Sequence, residues 1–125
     1  MNKPQVLVVD DDPRYLELLQ FALESEGFGV VVARNPRQVQ ALALSWQPAV
    51  IVTDVSMPEM DGFDVANSLR ADPRTAAIPL VFLTARSLEK DRLEGKKSGA
   101  AEYLTKPFSP SDLINKIRSV MKEVA

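Results

Sequence analysis

Five short apolar runs punctuate the chain at near-regular intervals, beginning near Gln5, Gly29, Ala49, Pro79 and Glu102. Each is rich in Val, Ile, Leu or Phe without strict alternation, the pattern of strands buried on both faces of a parallel sheet. Between the runs the apolar positions shift to a helical period. Tyr15, Leu16, Leu18, Leu19, Ala22 and Leu23 form one stripe, and Leu113, Ile117, Val120 and Val124 form another. Asp12-Pro13, Asn35-Pro36 and Ser109-Pro110 each place a capping side chain before a proline at the first helical position. Gly27 and Gly99 fall where helices should stop. Residues 87–98 should form a further helix, but Leu88 and Leu93 are its only large apolar anchors, and Lys96 and Lys97 occupy positions where an apolar face would help. That helix is expected to dock loosely. Five βα units of this spacing predict an α/β domain with a parallel sheet, helices on both faces and right-handed crossovers. No linker, repeat or low-complexity segment interrupts the pattern, so residues 1–125 read as one domain, standing alone or excised from a longer protein.

The polar residues that close these runs share a chemistry. Asp54 ends the run 49–53 and opens a loop bounded by Pro58 and Gly62, where a carboxylate is held rigidly yet exposed at its tip. Asp10-Asp11-Asp12 closes the first run, Thr84 the fourth and Lys106 the fifth. In a doubly wound sheet, ligands bind outside the carboxyl ends of the strands where strand order reverses, so these residues should converge. Hard carboxylate oxygens suit Mg²⁺, a hydroxyl can donate to a phosphoryl oxygen, and an ammonium can neutralise one. The set reads as a Mg²⁺-dependent phosphoryl site. Singly, each residue has a blander role: Asp12 as a helix cap, Asp61-Gly62 as a turn, Thr84 as a strand end, Lys106 as a solvated lysine, Trp46 as a packing residue. Joint placement is what turns Asp10, Asp11, Asp54, Thr84 and Lys106 into a site.

Composition narrows the chemistry further. The chain has 125 residues, 46% hydrophobic and 26% charged, the balance of a globular domain with one core. A net charge of −2 gives no support to a nucleic-acid-binding surface. There is no cysteine, which excludes disulfides, thiolate metal sites and cysteine nucleophiles. There is no histidine either, which leaves carboxylates and hydroxyls to carry any chemistry. Neither a signal peptide nor a run approaching the roughly 18 apolar residues of a membrane span is present, so a cytoplasmic location without membrane contact is expected.

Over essentially its whole length the chain resembles a response-regulator receiver domain of two-component signal transduction, the CheY-like superfamily. The segments that carry the resemblance are Val6-Leu7-Val8-Val9-Asp10-Asp11-Asp12, Thr53-Asp54-Val55-Ser56-Met57-Pro58-Glu59-Met60-Asp61-Gly62, Phe82-Leu83-Thr84-Ala85 and Tyr103-Leu104-Thr105-Lys106-Pro107-Phe108. The resemblance implies a flavodoxin-like (βα)5 fold with strand order 2-1-3-4-5. It implies that Asp54 accepts a phosphoryl group from a histidine kinase or a histidine phosphotransfer protein, and that the protein is a signalling phosphoacceptor with intrinsic autophosphorylation and autodephosphorylation, not an enzyme. Mg²⁺, with Mn²⁺ as a substitute, would be held by Asp11, Asp54 and the backbone carbonyl of Ser56, with Asp10 acting through a bound water. Thr84 and Lys106 would contact the phosphoryl oxygens, Thr84 and Tyr103 would form the switch, and the Lys106-Pro107 bond would be cis. An effector domain or a second receiver would dock on the face built by the fourth helix, fifth strand and fifth helix. Ser56 and Arg86 stand at positions that tune phosphoryl lifetime, with side chains that are not the family's commonest.

Two other readings are compatible with parts of the sequence. A Mg²⁺-dependent phosphohydrolase of the haloacid-dehalogenase type would use Asp10 and Asp12 as its Asp-x-Asp pair, although Pro13 departs from that motif and no cap domain is present. A non-phosphorylated pseudo-receiver would act only as an interaction module, although this chain keeps every acid and the lysine.

Overall fold

The computed structural model describes residues 3–54, 62–84 and 102–124, the last three by their backbone. Five strands are present: β1 (Gln5–Val9), β2 (Gly29–Ala33), β3 (Val50–Asp54), β4 (Leu80–Thr84) and β5 (Glu102–Thr105). Four α-helices among the described residues connect or follow them: α1 (Pro13–Ser25), α2 (Val39–Trp46), α3 (Gly62–Ala71) and α4 (Pro110–Val124), with a short 3₁₀ turn at Pro36–Gln38. The strands are parallel in the order β2-β1-β3-β4-β5, the flavodoxin-like order implied by the sequence. The expected helix at 87–98 and the helix stop at Gly99 lie outside the described residues.

The central strands β1, β3 and β4 are buried on both sides, as their pattern required, whereas the edge strands β2 and β5 are only partly buried. On one face Val6, Val8, Val50, Val52, Val81 and Leu83 pack against Leu16, Leu19 and Leu23 of α1 and Leu113, Ile117 and Val120 of α4. On the other, Leu7, Val9, Ile51, Leu80 and Phe82 pack against Val39 and Ala43 of α2 and Val65, Ala66 and Leu69 of α3. Truncating any of these fully buried leucines to alanine is expected to cost about 2–5 kcal/mol, because a sheet clamped between two helical layers cannot collapse into the void.

Local signals agree with the layers. The Asp12 carboxylate accepts from the Arg14 N–H at 3.0 Å, and the Asn35 side chain accepts from the Arg37 N–H at 2.9 Å. At the start of α4, Ser109 and Asp112 form a reciprocal capping box. Helix α1 ends in a left-handed Gly27 (φ 92°), with the Phe28 N–H donating to the Leu23 carbonyl and the Gly27 N–H to that of Glu24.

Two expectations need correction. Leu18, counted in the buried stripe of α1, is 62% exposed, because the face against the sheet is set by Leu16, Leu19 and Leu23 and position 18 is rotated away from it. Trp46, assigned to packing, is 52% exposed at the end of α2.

Candidate functional site

Strand register assembles the site. Val9 is paired with Thr53, so the next residues, Asp10 and Asp54, leave β1 and β3 side by side. Asp54 is itself paired with Leu83, which sets Thr84 one step further along the next strand. Thr84 is paired with Thr105, and the Lys106 N–H donates to the Thr84 carbonyl at 2.7 Å, fixing where the lysine leaves the sheet. Four strands therefore deliver Asp10, Asp11, Asp54, Thr84 and Lys106 to one edge.

Asp10, Asp11 and Asp54 each offer an oxygen, and the three oxygens lie within 4.8 Å of one another. At about 4 Å a pair of like charges costs about 4 kcal/mol at an effective dielectric near 20, so the cluster favours a cation. Lys106 supplies part of that charge, its Nζ lying 3.3 Å from Asp54 Oδ2. Asp10 is the most buried of the acids, and its Oδ1 accepts from the Asp12 N–H at 2.9 Å. Its Oδ2 is buried without a hydrogen-bond partner among the described residues. Burial pushes the Asp10 carboxyl up to about 6; Asp54 and Asp11 add to the rise, and the Asp12 N–H and Lys106 oppose it. An orphaned carboxylate oxygen beside two more carboxylates is a hard-oxygen donor set that fits Mg²⁺. The expected backbone ligand at Ser56 lies outside the described residues, as does Arg86.

Thr84 is buried. Tyr103, half-buried on β5, is the register partner of Phe82, their rings 5.7 Å apart, and Phe82 in turn meets Phe63 edge-on at 5.1 Å. Alternation places Phe82 and Thr84 on the same sheet face, so Tyr103 stands one pleat repeat from Thr84. The Lys106-Pro107 peptide bond is cis. Asp12 faces its own helix as a cap and is not in the carboxylate cluster.

One site residue was not singled out from the sequence. Tyr15, counted only in the apolar stripe of α1, places its ring under Lys106, with Nζ 4.6 Å from the ring centroid. Burial pushes its hydroxyl up to about 12, with Asp10 and Asp54 adding to the rise, so it stays protonated across the physiological range. An aromatic three residues past an N-cap was the available signal, but only the fold shows which strand end that turn of helix faces.

The family model for the response regulator receiver domain matches residues 6–118. The chain belongs to that family. Among receiver-containing relatives, the DNA-binding dual master transcriptional regulator RpaA of Synechocystis sp. is 40% identical over 119 residues, covering 95% of this chain and 49% of RpaA. A 14.6 kDa protein from the sodA1 3′ region of Leptolyngbya boryana is 43% identical over 113 residues, covering 90% of this chain and 86% of that protein. The chain thus spans about half the length of RpaA and most of the Leptolyngbya protein. Among solved receiver structures, the chemotaxis protein CheY4 of Vibrio cholerae superposes with a TM-score of 0.91 at 31% identity, covering 95% of this chain and 99% of that one. As a receiver domain of a two-component response regulator, the chain is a signalling module of a family that typically binds Mg²⁺ through acidic residues and works with histidine kinases and effector domains. None of the described helices is long and apolar enough to cross a membrane.

Proposed function

We propose that this receiver domain takes a phosphoryl group onto Asp54 from the phosphohistidine of a histidine kinase or histidine phosphotransfer protein. The observation that carries the reading is the meeting of Asp54 with Lys106 at 3.3 Å beside the carboxylates of Asp10 and Asp11. An Asp54 oxygen attacks phosphorus in line, the P–N bond breaks, and its electron pair leaves with the imidazole. The protein's work is positioning and charge stabilisation. Lys106 neutralises phosphoryl oxygens, and the Thr84 hydroxyl donates to one of them. Asp11, Asp54 and the Ser56 carbonyl would hold Mg²⁺ or Mn²⁺, with Asp10 acting through a water. The ion, when bound, relieves carboxylate repulsion and neutralises phosphoryl charge. Water then hydrolyses the acyl phosphate and restores the carboxylate.

Output would pass to an effector domain or a second receiver through the face that carries β5 and α4, to which the family resemblance adds the helix expected at 87–98. The charges of that face suit salt-bridged pairing; within it Lys116 of α4 already holds Glu102 of β5 at 3.0 Å. The phosphohydrolase alternative needs Asp12 as a second catalytic acid, whereas that side chain is occupied as the cap of α1, which favours Asp54 as the acceptor. The reading is tested by incubating the protein with acetyl phosphate and Mg²⁺ and following its intact mass. Gain of one hydroxylamine-labile phosphoryl group supports it; an unchanged mass contradicts it.

A further inference from the structure

We infer that Tyr15 is a positioning residue for phosphoryl transfer, its ring face holding the Lys106 ammonium over the phosphoacceptor. The inference rests on the reading of Asp54 as acceptor and Lys106 as the charge-neutralising group. Lys106 has a flexible four-carbon stem and a side chain 28% exposed, so without restraint its ammonium would spread over many solvated positions. Among the described residues two contacts restrain it: Asp54 Oδ2 at 3.3 Å and the Tyr15 ring at 4.6 Å from its centroid. These contacts differ in kind. Asp54 changes during the reaction, since its carboxylate becomes an acyl phosphate, whereas the electron-rich ring face is the same before and after. Tyr15 therefore gives Lys106 an anchor that persists through transfer.

The anchor is itself held. Tyr15 lies in the first turn of α1, one residue before the buried Leu16, so its backbone is fixed by the helix packed on the sheet. Its ring meets Phe108 edge-on, with centroids 6.4 Å apart and planes at 74°. Phe108 is two residues beyond Lys106, so one ring grips both the lysine and the segment that carries it. Tyr15 also packs against the hydrophobic cluster shared by α1 and α4. The hydroxyl has no part in this assignment; the face of the ring does.

That distinction sets the test. Tyr15→Phe keeps the ring face, whereas Tyr15→Leu keeps apolar bulk and removes it. In the wild-type protein, side-chain NMR should show the Lys106 Hε protons shifted upfield by the ring current. The shift should persist in Tyr15→Phe and vanish in Tyr15→Leu. Loading by acetyl phosphate should be near normal in Tyr15→Phe and about fivefold slower in Tyr15→Leu, the size of one partly desolvated cation–π contact. Lys106 Hε protons at ordinary lysine positions in the wild type would overturn the inference, and that measurement needs no variant to fold. Equal loading by Tyr15→Leu and wild type would overturn it too. A wild type that is never phosphorylated while its Lys106 protons are ring-shifted would defeat the acceptor reading instead, leaving the contact without a reaction to serve.

Discussion

Lys106 and Asp54 are 52 residues apart in sequence, yet Nζ and Oδ2 lie at 3.3 Å across the carboxyl edge of the sheet. The pair is partly shielded from water, with side chains 28% and 15% exposed, and Asp10 and Asp11 stand alongside it. Replacing Lys106 with Ala withdraws a positive charge from a crowded acidic cluster. The metal-free protein is then expected to lose about 1 kcal/mol in urea denaturation, the upper end for an incompletely buried pair. Acetyl phosphate loading should slow by about a hundredfold, as when one preorganised charge-stabilising group is removed. Loading at the wild-type rate would mean that another group neutralises the phosphoryl oxygens.

Asp10 makes stability depend on pH. Its carboxyl is raised from 3.8 to about 6 on folding, chiefly by burial, so the folded state binds its proton more tightly than the unfolded chain does. The stabilisation from this group is complete below about pH 4 and is lost as pH rises through about 6. Two units correspond to a loss on the order of 3 kcal/mol. Asp10→Asn cannot ionise. Without metal, it should match the wild type near pH 4 and exceed it in stability at pH 7.5. Denaturation curves for both proteins across this window test the point, and a stability difference that does not change with pH contradicts it.

The same repulsion predicts linkage to Mg²⁺. An ion that binds the folded site and not the unfolded chain stabilises by about 1.4 kcal/mol at ten times its Kd, so millimolar Mg²⁺ should raise the melting temperature. Asp11→Asn should remove most of that rise, and relief of like-charge strain should raise stability in the absence of metal. An Asp11→Asn protein that is weaker without metal and still fully responsive to Mg²⁺ would show that the cluster is built on other ligands.

Sequence was informative wherever the signal was local or periodic. The caps at Asp12, Asn35 and Ser109, the Gly27 stop and the strand starts are each set by a few neighbouring residues, and all appear where the pattern placed them. Convergence of Asp10, Asp11, Asp54 and Lys106 was also legible, because a parallel sheet brings successive strand ends to one edge. What stayed hidden depends on helix rotation and long-range contact. Leu18 and Leu19 look alike in sequence, and only the docking angle of α1 exposes one and buries the other. Gln40 bonds Asp72 and Thr75 at 3.2 Å each, joining α2 to the turns after α3 across more than thirty residues that share no motif. The Tyr15 contact with Lys106 belongs to this second kind.

The switch expected from the family resemblance would use Thr84 and Tyr103, which lie on the same face of adjacent strands one pleat repeat apart. A phosphoryl group on Asp54 gives the Thr84 hydroxyl a strong acceptor, and drawing Thr84 towards it opens space into which Tyr103 can turn. Beryllofluoride, standing in for the phosphoryl group, should therefore move amide NMR signals from residue 87 to residue 121 as well as around Asp54. Shifts confined to the loops bearing Asp10, Asp54, Thr84 and Lys106 would remove the switch from the account while leaving the acceptor in place.

The central claim is that Asp54 is the phosphoacceptor, and locating the phosphoryl group by mass spectrometry tests it most directly. After treatment with acetyl phosphate and Mg²⁺, borohydride reduction of the acyl phosphate should mark the peptide containing position 54, and Asp54→Asn should abolish the mark. Modification that survives in Asp54→Asn and disappears in Asp10→Asn would contradict the claim and move the chemistry to the first strand.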